Sequence, residues 1–133
     1  MRLEEGLLAH LSQSPLTELV GEGIYPLLLP QGAPLPAVVY ALVSTAFLPA
    51  LQQDTTFRSQ SLQLVCRGKT YKEAVQVGEA ARVLLADYTG LMGEIDVQSV
   101  LPVGHTVYYE TETKSYAALW EWRLQYSQDW EVP

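Results

Sequence analysis

The sequence GEGIYPLLLPQGAPLPAVVY, residues 21–40, places four prolines between a glycine-rich turn and an apolar run of β-forming residues. Proline fixes the backbone φ angle and has no N–H to donate. A helix therefore cannot form across Pro26, Pro30, Pro34 and Pro36, and the stretch predicts an extended, rigid connector that leads into a strand. A rigid connector of this length suits a protein whose function depends on a fixed shape.

The segment before the connector has helical periodicity. Four leucines fall on one stripe of an amphipathic helix that is expected to end near Pro15. These leucines are Leu3, Leu7, Leu8 and Leu11. Residues 16–20 can add one more turn, and residues 24–25 predict a very short strand.

Two strands with a loop between them are predicted after the connector. Residues 37–45 are rich in β-branched and aromatic residues and predict a strand buried on nearly both faces. Residues 59–67 alternate, as expected of a strand with one wet face. Its inward-facing residues are Leu62, Leu64 and Cys66. Residues 46–58 contain Pro49 and polar residues and predict an exposed loop. This loop carries the apolar side chains of Phe47, Leu48, Leu51 and Phe57.

A long helix is predicted after the second of these strands. Residues 70–73, Thr-Tyr-Lys-Glu, form a capping box, in which the Thr hydroxyl and the Glu carboxylate each satisfy an unpaired backbone N–H. Helical periodicity continues to Gly90, which is expected to close the helix as a left-handed cap. The small residues Ala74, Gly78 and Ala81 are expected to let this helix lie close on a sheet.

The C-terminal third predicts two further strands. Residues 94–103 have strand character up to Pro102. Residues 116–126 alternate, with Leu119 as an apolar exception, and Trp120 and Trp122 lie on the face expected to be core. The element order predicts an α+β fold, a mostly antiparallel sheet with one long helix packed on it and an N-terminal helix. The length of 133 residues favours a single domain over residues 1–133.

Composition excludes several classes of protein. The chain is 48% hydrophobic and 17% charged, which excludes intrinsic disorder. A formal charge of −7 with only eight dispersed basic residues argues against direct nucleic-acid binding. The single cysteine argues against an extracellular disulfide scaffold. The N-terminal residues fit neither a signal peptide nor a membrane span, so we expect the protein in the cytoplasm and away from membranes.

The search for cofactor and metal sites is largely negative. Residues 68–70, Gly-Lys-Thr, lie between a strand and a helix as in a P-loop, but the glycine that the motif needs five residues earlier is Gln63. Residues 21–23 are only part of a dinucleotide motif and favour a turn. His10 and His105 have no further ligand at metal spacing and are expected at the surface. No cofactor or metal is predicted.

Catalytic side chains are also few. Cys66 shares the inner face of its strand and is expected to be an inert thiol. Composition leaves Ser-His-Asp chemistry open, although the Gly-x-Ser-x-Gly elbow is missing from the sequence. Asp96, Glu110 and Glu112 could act as paired acids, but scattered carboxylates near turns favour a solvated surface. No catalytic residue is assigned.

The motifs together resemble one known family. Gly21 with Ile-Tyr-Pro at 24–26, then Pro-Gln-Gly-Ala-Pro-Leu-Pro at 30–36 before Val-Val-Tyr, resembles the start of the tail completion proteins of long-tailed bacteriophages and prophages. The helix start at 70–74 and the end strand with alternating aromatics follow in the same order. The similarity runs over residues 16–126.

This resemblance implies a structural virion protein that is not an enzyme. Such a tail terminator caps the finished tail tube as a ring of six copies and joins it to the head connector protein, so its partners are its own copies, the tail tube protein and the connector. Its place is the head–tail junction of the virion, after assembly in the host cytoplasm. The candidate interface residues are Phe47, Leu48, Leu51, Phe57 and Trp130. The alternative is a small α+β enzyme or ligand-binding domain that uses carboxylates or Tyr side chains in a pocket.

Overall fold

A computed structural model describes residues 2–48 and 55–129, with side chains for residues 2–45 and 58–127. These residues form three helices and six strands. In chain order they are α1 (Leu3–Leu11), α2 (Leu16–Val20), β1 (Ile24–Pro26), β2 (Ala37–Leu48), β3 (Thr55–Gly68), α3 (Tyr71–Leu85), β4 (Gly90–Met92), β5 (Ile95–Glu110) and β6 (Ser115–Asp129).

The strands form one sheet in the order β1-β2-β3-β6-β5-β4. β1 runs parallel to β2, and every other neighbouring pair is antiparallel. The prediction of an α+β fold with a mostly antiparallel sheet is therefore confirmed. The further turn predicted at residues 16–20 is present as a separate helix, α2. The described residues thus contain three helices, and not only one long helix and an N-terminal helix.

The core lies between the helices and one face of the sheet. Leu62, Leu64 and Cys66 of β3 are fully buried there, as the alternation predicted, and Trp122 of the neighbouring β6 is 1% exposed. Ala74, Val77, Ala81 and Leu85 of α3 pack against them. Small residues on α3 let the helix approach closely, which confirms the prediction from positions 74, 78 and 81.

The structure extends two of the predicted strands and so corrects the predicted loop. β2 continues to Leu48 and β3 begins at Thr55, so residues 46–48 and 55–58 are strand and not loop. The cause is pairing on both sides of β3, which meets β2 from residue 57 onward and β6 along its whole length. β5 likewise continues beyond Pro102 to Glu110, with a register shift between Pro102 and Gly104 in place of a strand end.

The end of α3 also differs from the prediction. The helix ends at Leu85, and Ala86 donates its N–H to Arg82 O at 2.8 Å. The left-handed residue that follows is Asp87, with φ 57°, and Asp is among the residues that tolerate this conformation. Asp87 N–H donates to Val100 O of β5 at 3.2 Å, which fixes the turn to the sheet. Gly90 belongs instead to β4, so its assignment as the helix cap was wrong.

Candidate assembly surface

The five predicted interface residues fall at the margins of what the structure describes. Phe47 and Leu48 lie in the last residues of β2, and Phe57 lies near the start of β3. Leu48 is the register partner of Phe57, so the backbones of these two residues lie side by side at one end of the β2–β3 pair. The side chains of these three residues lie outside the described set, and so do Leu51 and Trp130 altogether.

The sheet has four edge segments, and two of them are protected. β1 borders β2 only at residues 38–40. On its outer side Ile24 N–H donates to Glu22 O, Pro26 has no N–H, and Leu28 N–H donates to Pro26 O. β4 borders β5 only at residues 95–97 and is flanked by α1, where a β carbon on Gly6 would collide with Met92 O. Such coverage removes free hydrogen-bonding groups from an edge.

The first open edge is the second half of β2. Val38 N–H donates to Gly23 O and Tyr40 O accepts from Leu27 N–H, both at 2.8 Å, so the backbone groups of Val38 and Tyr40 point outward. By alternation Leu42 does the same, beyond the end of β1, and a register shift against β3 follows between Leu42 and Ser44. Among the described residues no strand lies along this side of residues 41–48. Those residues read ALVSTAFL, without charge, proline or glycine.

The second open edge is the second half of β5. Val100 O accepts from Asp87 N–H, but within the described ranges no strand borders residues 101–110 on their outer side. This half of the strand exposes four large apolar side chains, those of Leu101, Val103, Tyr108 and Tyr109. Exposed apolar groups beside unpaired backbone are the features of a surface that binds a further strand.

The connector lies beside a charged pair near the end of β3 and β5. Arg67 Nη1 lies 2.8 Å from Glu110 Oε2 and 3.4 Å from Ser115 Oγ. The side chain of Arg67 is 14% exposed, so this pair is more shielded than an ordinary surface ion pair. Residues 28–33 and Leu35 of the connector line the other side of a cavity of about 500 Å³. This cavity is the place where the structure best fits the alternative of a ligand-binding pocket.

The residues considered as candidates for catalysis or phosphate binding have structural roles. Burial raises the pKa of the Cys66 thiol to about 12, in agreement with the expected inert cysteine. Thr70 Oγ1 accepts from Glu73 N–H at 3.1 Å, which confirms that residues 68–70 lead into a helix cap. Glu73 Oε1 accepts from Lys69 N–H at 2.9 Å, one residue earlier than a standard capping box predicts.

The two histidines are engaged in contacts within the fold. His10 is half-buried and not at the surface as predicted, because its ring lies 4.2 Å from that of Tyr88 and its Nε2 is 2.7 Å from Leu84 O. His105 is exposed, and its ring stacks on Trp120 with centroids 4.2 Å apart. In the part of the chain that the structure describes, no group of three or more His, Cys, Asp or Glu residues could hold a metal ion. Over the same residues, no helix has the length and apolar character to cross a membrane.

Comparison with known proteins finds similarity at the level of the fold. Neither a protein-family model nor a curated protein matches the sequence. Among solved structures, the fold is similar to a chain from the virion of a native gene transfer agent (GTA) particle, with a TM-score of 0.68 and 12% sequence identity. The similarity covers 94% of this chain and 93% of that chain.

Proposed function

We propose that this chain is a structural virion protein that terminates the tail tube of a phage or phage-like particle and joins it to the head connector. The observation that carries the proposal is the fold similarity, which covers nearly all of both chains and is to a component of a virion. The finer role in tail termination is supported by the sequence: the connector motif and the order of the later motifs resemble the tail completion proteins. This support is independent of the fold similarity, because the two chains share only 12% sequence identity.

The proposed role is mechanical and needs no catalysis. A ring of identical copies caps the tube, so each subunit must present one surface to the next copy and a different surface to the copy before it. The two open sheet edges lie on opposite sides of the subunit, as such a head-to-tail contact requires. The proposed ring has six copies, and its place is the head–tail junction of the virion.

The first test is the state of the purified protein. Native mass spectrometry should find a closed ring, and electron microscopy should find it at one end of isolated tail tubes. Changing Leu48 and Leu51 to Asp should block association without unfolding the subunit, since the predicted interface places these residues between copies. Unfolding of that variant would instead assign the two residues to the core. A protein that stays monomeric and never joins tubes or connectors would contradict the proposal.

The second candidate is a small-ligand domain, and the cavity beside Arg67 and Glu110 favours it. That cavity combines a shielded charged pair with an apolar wall from the connector. Thermal-shift screening with small anionic and cationic metabolites tests it. Stabilisation by one class that is lost in Glu110→Ala would support the ligand-binding function over the structural one.

A further inference from the structure

We infer that neighbouring copies join by continuing the sheet: the open edge of β2, residues 41–48, pairs antiparallel with the open edge of β5, residues 101–110, of the next copy. This inference rests on the proposed ring and names the surfaces that form it. It follows from the backbone and from the pattern of edge protection. The β2 edge includes Phe47 and Leu48 of the predicted contact, but the inference does not depend on their side chains or on Leu51, Phe57 and Trp130.

The first argument is the contrast between the edges. The outer side of β1 is occupied by local turns and Pro26, and α1 flanks β4. Edge strands are usually blunted with charges, proline, bulges or a covering helix, because an unpaired edge recruits further strands. Residues 41–48 have no charge and no proline, and their one irregularity against β3 is the register shift between Leu42 and Ser44. On the β5 edge Pro102 and its register shift lie at the start and Glu110 lies at the end, so residues 104–109 are the part without these features.

The second argument is direction. β2 and β5 are separated by β3 and β6, and the successive antiparallel pairings make β2 and β5 run in opposite directions within one subunit. When copies stand side by side in the same orientation, β5 of one copy is therefore antiparallel to β2 of the next. Antiparallel pairing needs no crossover connection and is the arrangement already used between most strands here.

The third argument is the offset between the two edges. Through the register, Leu42 of β2 lies on the row of Pro102, and Val38 lies on the row of Val107. The middle of the β2 edge, residues 44–45, lies on the row of residues 100–101 of β5. Matching it to residues 106–107, the middle of the 104–109 segment, thus needs a shift of about six residues, or about 20 Å. Four strands are about 19 Å wide, so the implied strand tilt is about 45°, near the tilt that closed rings of strands adopt.

The fourth argument is the placement of exposed apolar side chains. Val43 on the β2 edge is 56% exposed, and Val103 on the β5 edge is 60% exposed. A head-to-tail contact covers both edges with one kind of interface. A two-fold contact between two β2 edges, or between two β5 edges, would leave the other edge open, so the edges favour the heterologous arrangement.

Disulfide trapping tests the inference. Val43→Cys is combined in turn with Thr106→Cys, Tyr108→Cys or Tyr109→Cys, all exposed positions. Within one subunit β2 and β5 are about 14 Å apart, which is too far for a disulfide, so any bond must join two copies. Cys66 is fully buried and stays in place. After mild oxidation and alkylation, at least one pair should give a ladder of covalent multimers on a denaturing gel, and the single-cysteine variants should give none.

The other outcomes separate the inference from the proposed function. A ring by native mass spectrometry without any ladder would overturn the edge pairing and leave the ring standing. A monomer without a ladder would overturn both. Covalent dimers from a single-cysteine variant would assign a two-fold contact and overturn the head-to-tail pairing.

A charge substitution provides a second test that needs no disulfide. Val43→Lys places a charge on the open β2 edge, whereas Val83→Lys is a matched control on the outer face of α3, where Val83 is 63% exposed. The edge variant should weaken self-association by about tenfold or more, and the control should leave it within about twofold. Equal association by the two variants would contradict the inference. Circular dichroism checks that both remain folded.

Discussion

Gly78 of α3 lies directly over the indole ring of Trp120 on β6. A β carbon added at Gly78 would be 2.7 Å from Trp120 Nε1 and 3.3 Å from its Cδ1. The indole has little room to move, because it stacks with Trp122 at 5.5 Å and with His105 at 4.2 Å between ring centroids. The helix and the sheet therefore approach each other at a distance that only glycine allows.

We expect Gly78→Ala to destabilise the protein despite the better helix propensity of alanine. Alanine should gain about 1 kcal/mol in the helix, while overpacking a rigid contact costs about 1–3 kcal/mol. The net loss in the free energy of unfolding should be about 1 kcal/mol, measured by urea denaturation. Gly104→Ala is the control, because its added β carbon meets nothing within 4 Å and should change stability by less than about 0.5 kcal/mol. A more stable Gly78→Ala would contradict the close approach.

The sequence predicted the elements whose signals are local. The start of α3 depends on Thr70 and Glu73, three residues apart. In β6 the predicted alternation holds from Trp120 to Tyr126, whereas Ala117 and Ala118 are both buried. Both patterns fix an element without knowledge of its neighbours. The core assignment of Trp122 followed from the same alternation and is confirmed by its 1% exposure.

The strand ends depended on distant partners and were missed. Residues 46–48 and 55–58 contain or adjoin turn-forming residues, yet Thr55 pairs with Asp129, more than seventy residues away. Pro102 was interpreted as the end of a strand, but β6 continues beside it and the irregularity is absorbed as a register shift. Local preference is weak where a long partner strand continues alongside.

The candidate surface was only partly accessible from the sequence. The apolar residues in 46–58 indicated an interaction region. Which strand lies at an edge of the sheet depends on the strand order, and the sequence alone does not specify that order. One usable signal was present: residues 41–48 lack the charges or proline that protect an edge. The Arg67–Glu110 pair joins residues 43 positions apart and has no sequence signature.

Thr70→Ala should destabilise the protein by about 1 kcal/mol. The Thr70 hydroxyl accepts from Glu73 N–H at 3.1 Å, and alanine would leave this first-turn N–H to the solvent. Thr70→Ser is the control, because serine retains the accepting oxygen and should stay within about 0.5 kcal/mol of the parent. Thermal unfolding followed by circular dichroism measures both. Equal losses in the two variants would assign the effect to the Thr methyl group and not to the cap.

The Arg67–Glu110 pair should show a larger coupling energy than an exposed pair on the same protein. The side chains of Arg67 and Glu110 are 14% and 29% exposed, whereas those of Arg82 and Glu79 are 44% and 50% exposed at the same 2.8 Å separation. Shielding from solvent strengthens the attraction between the two charges. When Glu110 is removed, the charge of Arg67 is left shielded from solvent without its carboxylate partner.

A double-mutant cycle to alanine measures each pair. We expect about 1–2 kcal/mol for Arg67–Glu110 and about 0.5 kcal/mol or less for Arg82–Glu79. The first coupling should also persist in 0.5 M salt, because shielded pairs are screened less. Equal couplings, lost together in salt, would contradict the shielded character of the pair near the connector.

Cys66 should make the stability of the protein depend on pH in the alkaline range. Burial raises the pKa of its thiol from 9.0 to about 12, so the folded protein holds this proton more tightly than the unfolded chain. The stabilising contribution is fully present below pH 9 and is lost as the pH rises toward 12. Other parts of the protein also contribute to the pH dependence of stability, so the quantity to measure is the difference in unfolding free energy between the parent and Cys66→Ala. That difference should decrease by about 1.4 kcal/mol per pH unit above pH 9. A constant difference would mean that the thiol is not held protonated by burial, and rapid labelling of Cys66 by a thiol reagent under native conditions would lead to the same conclusion.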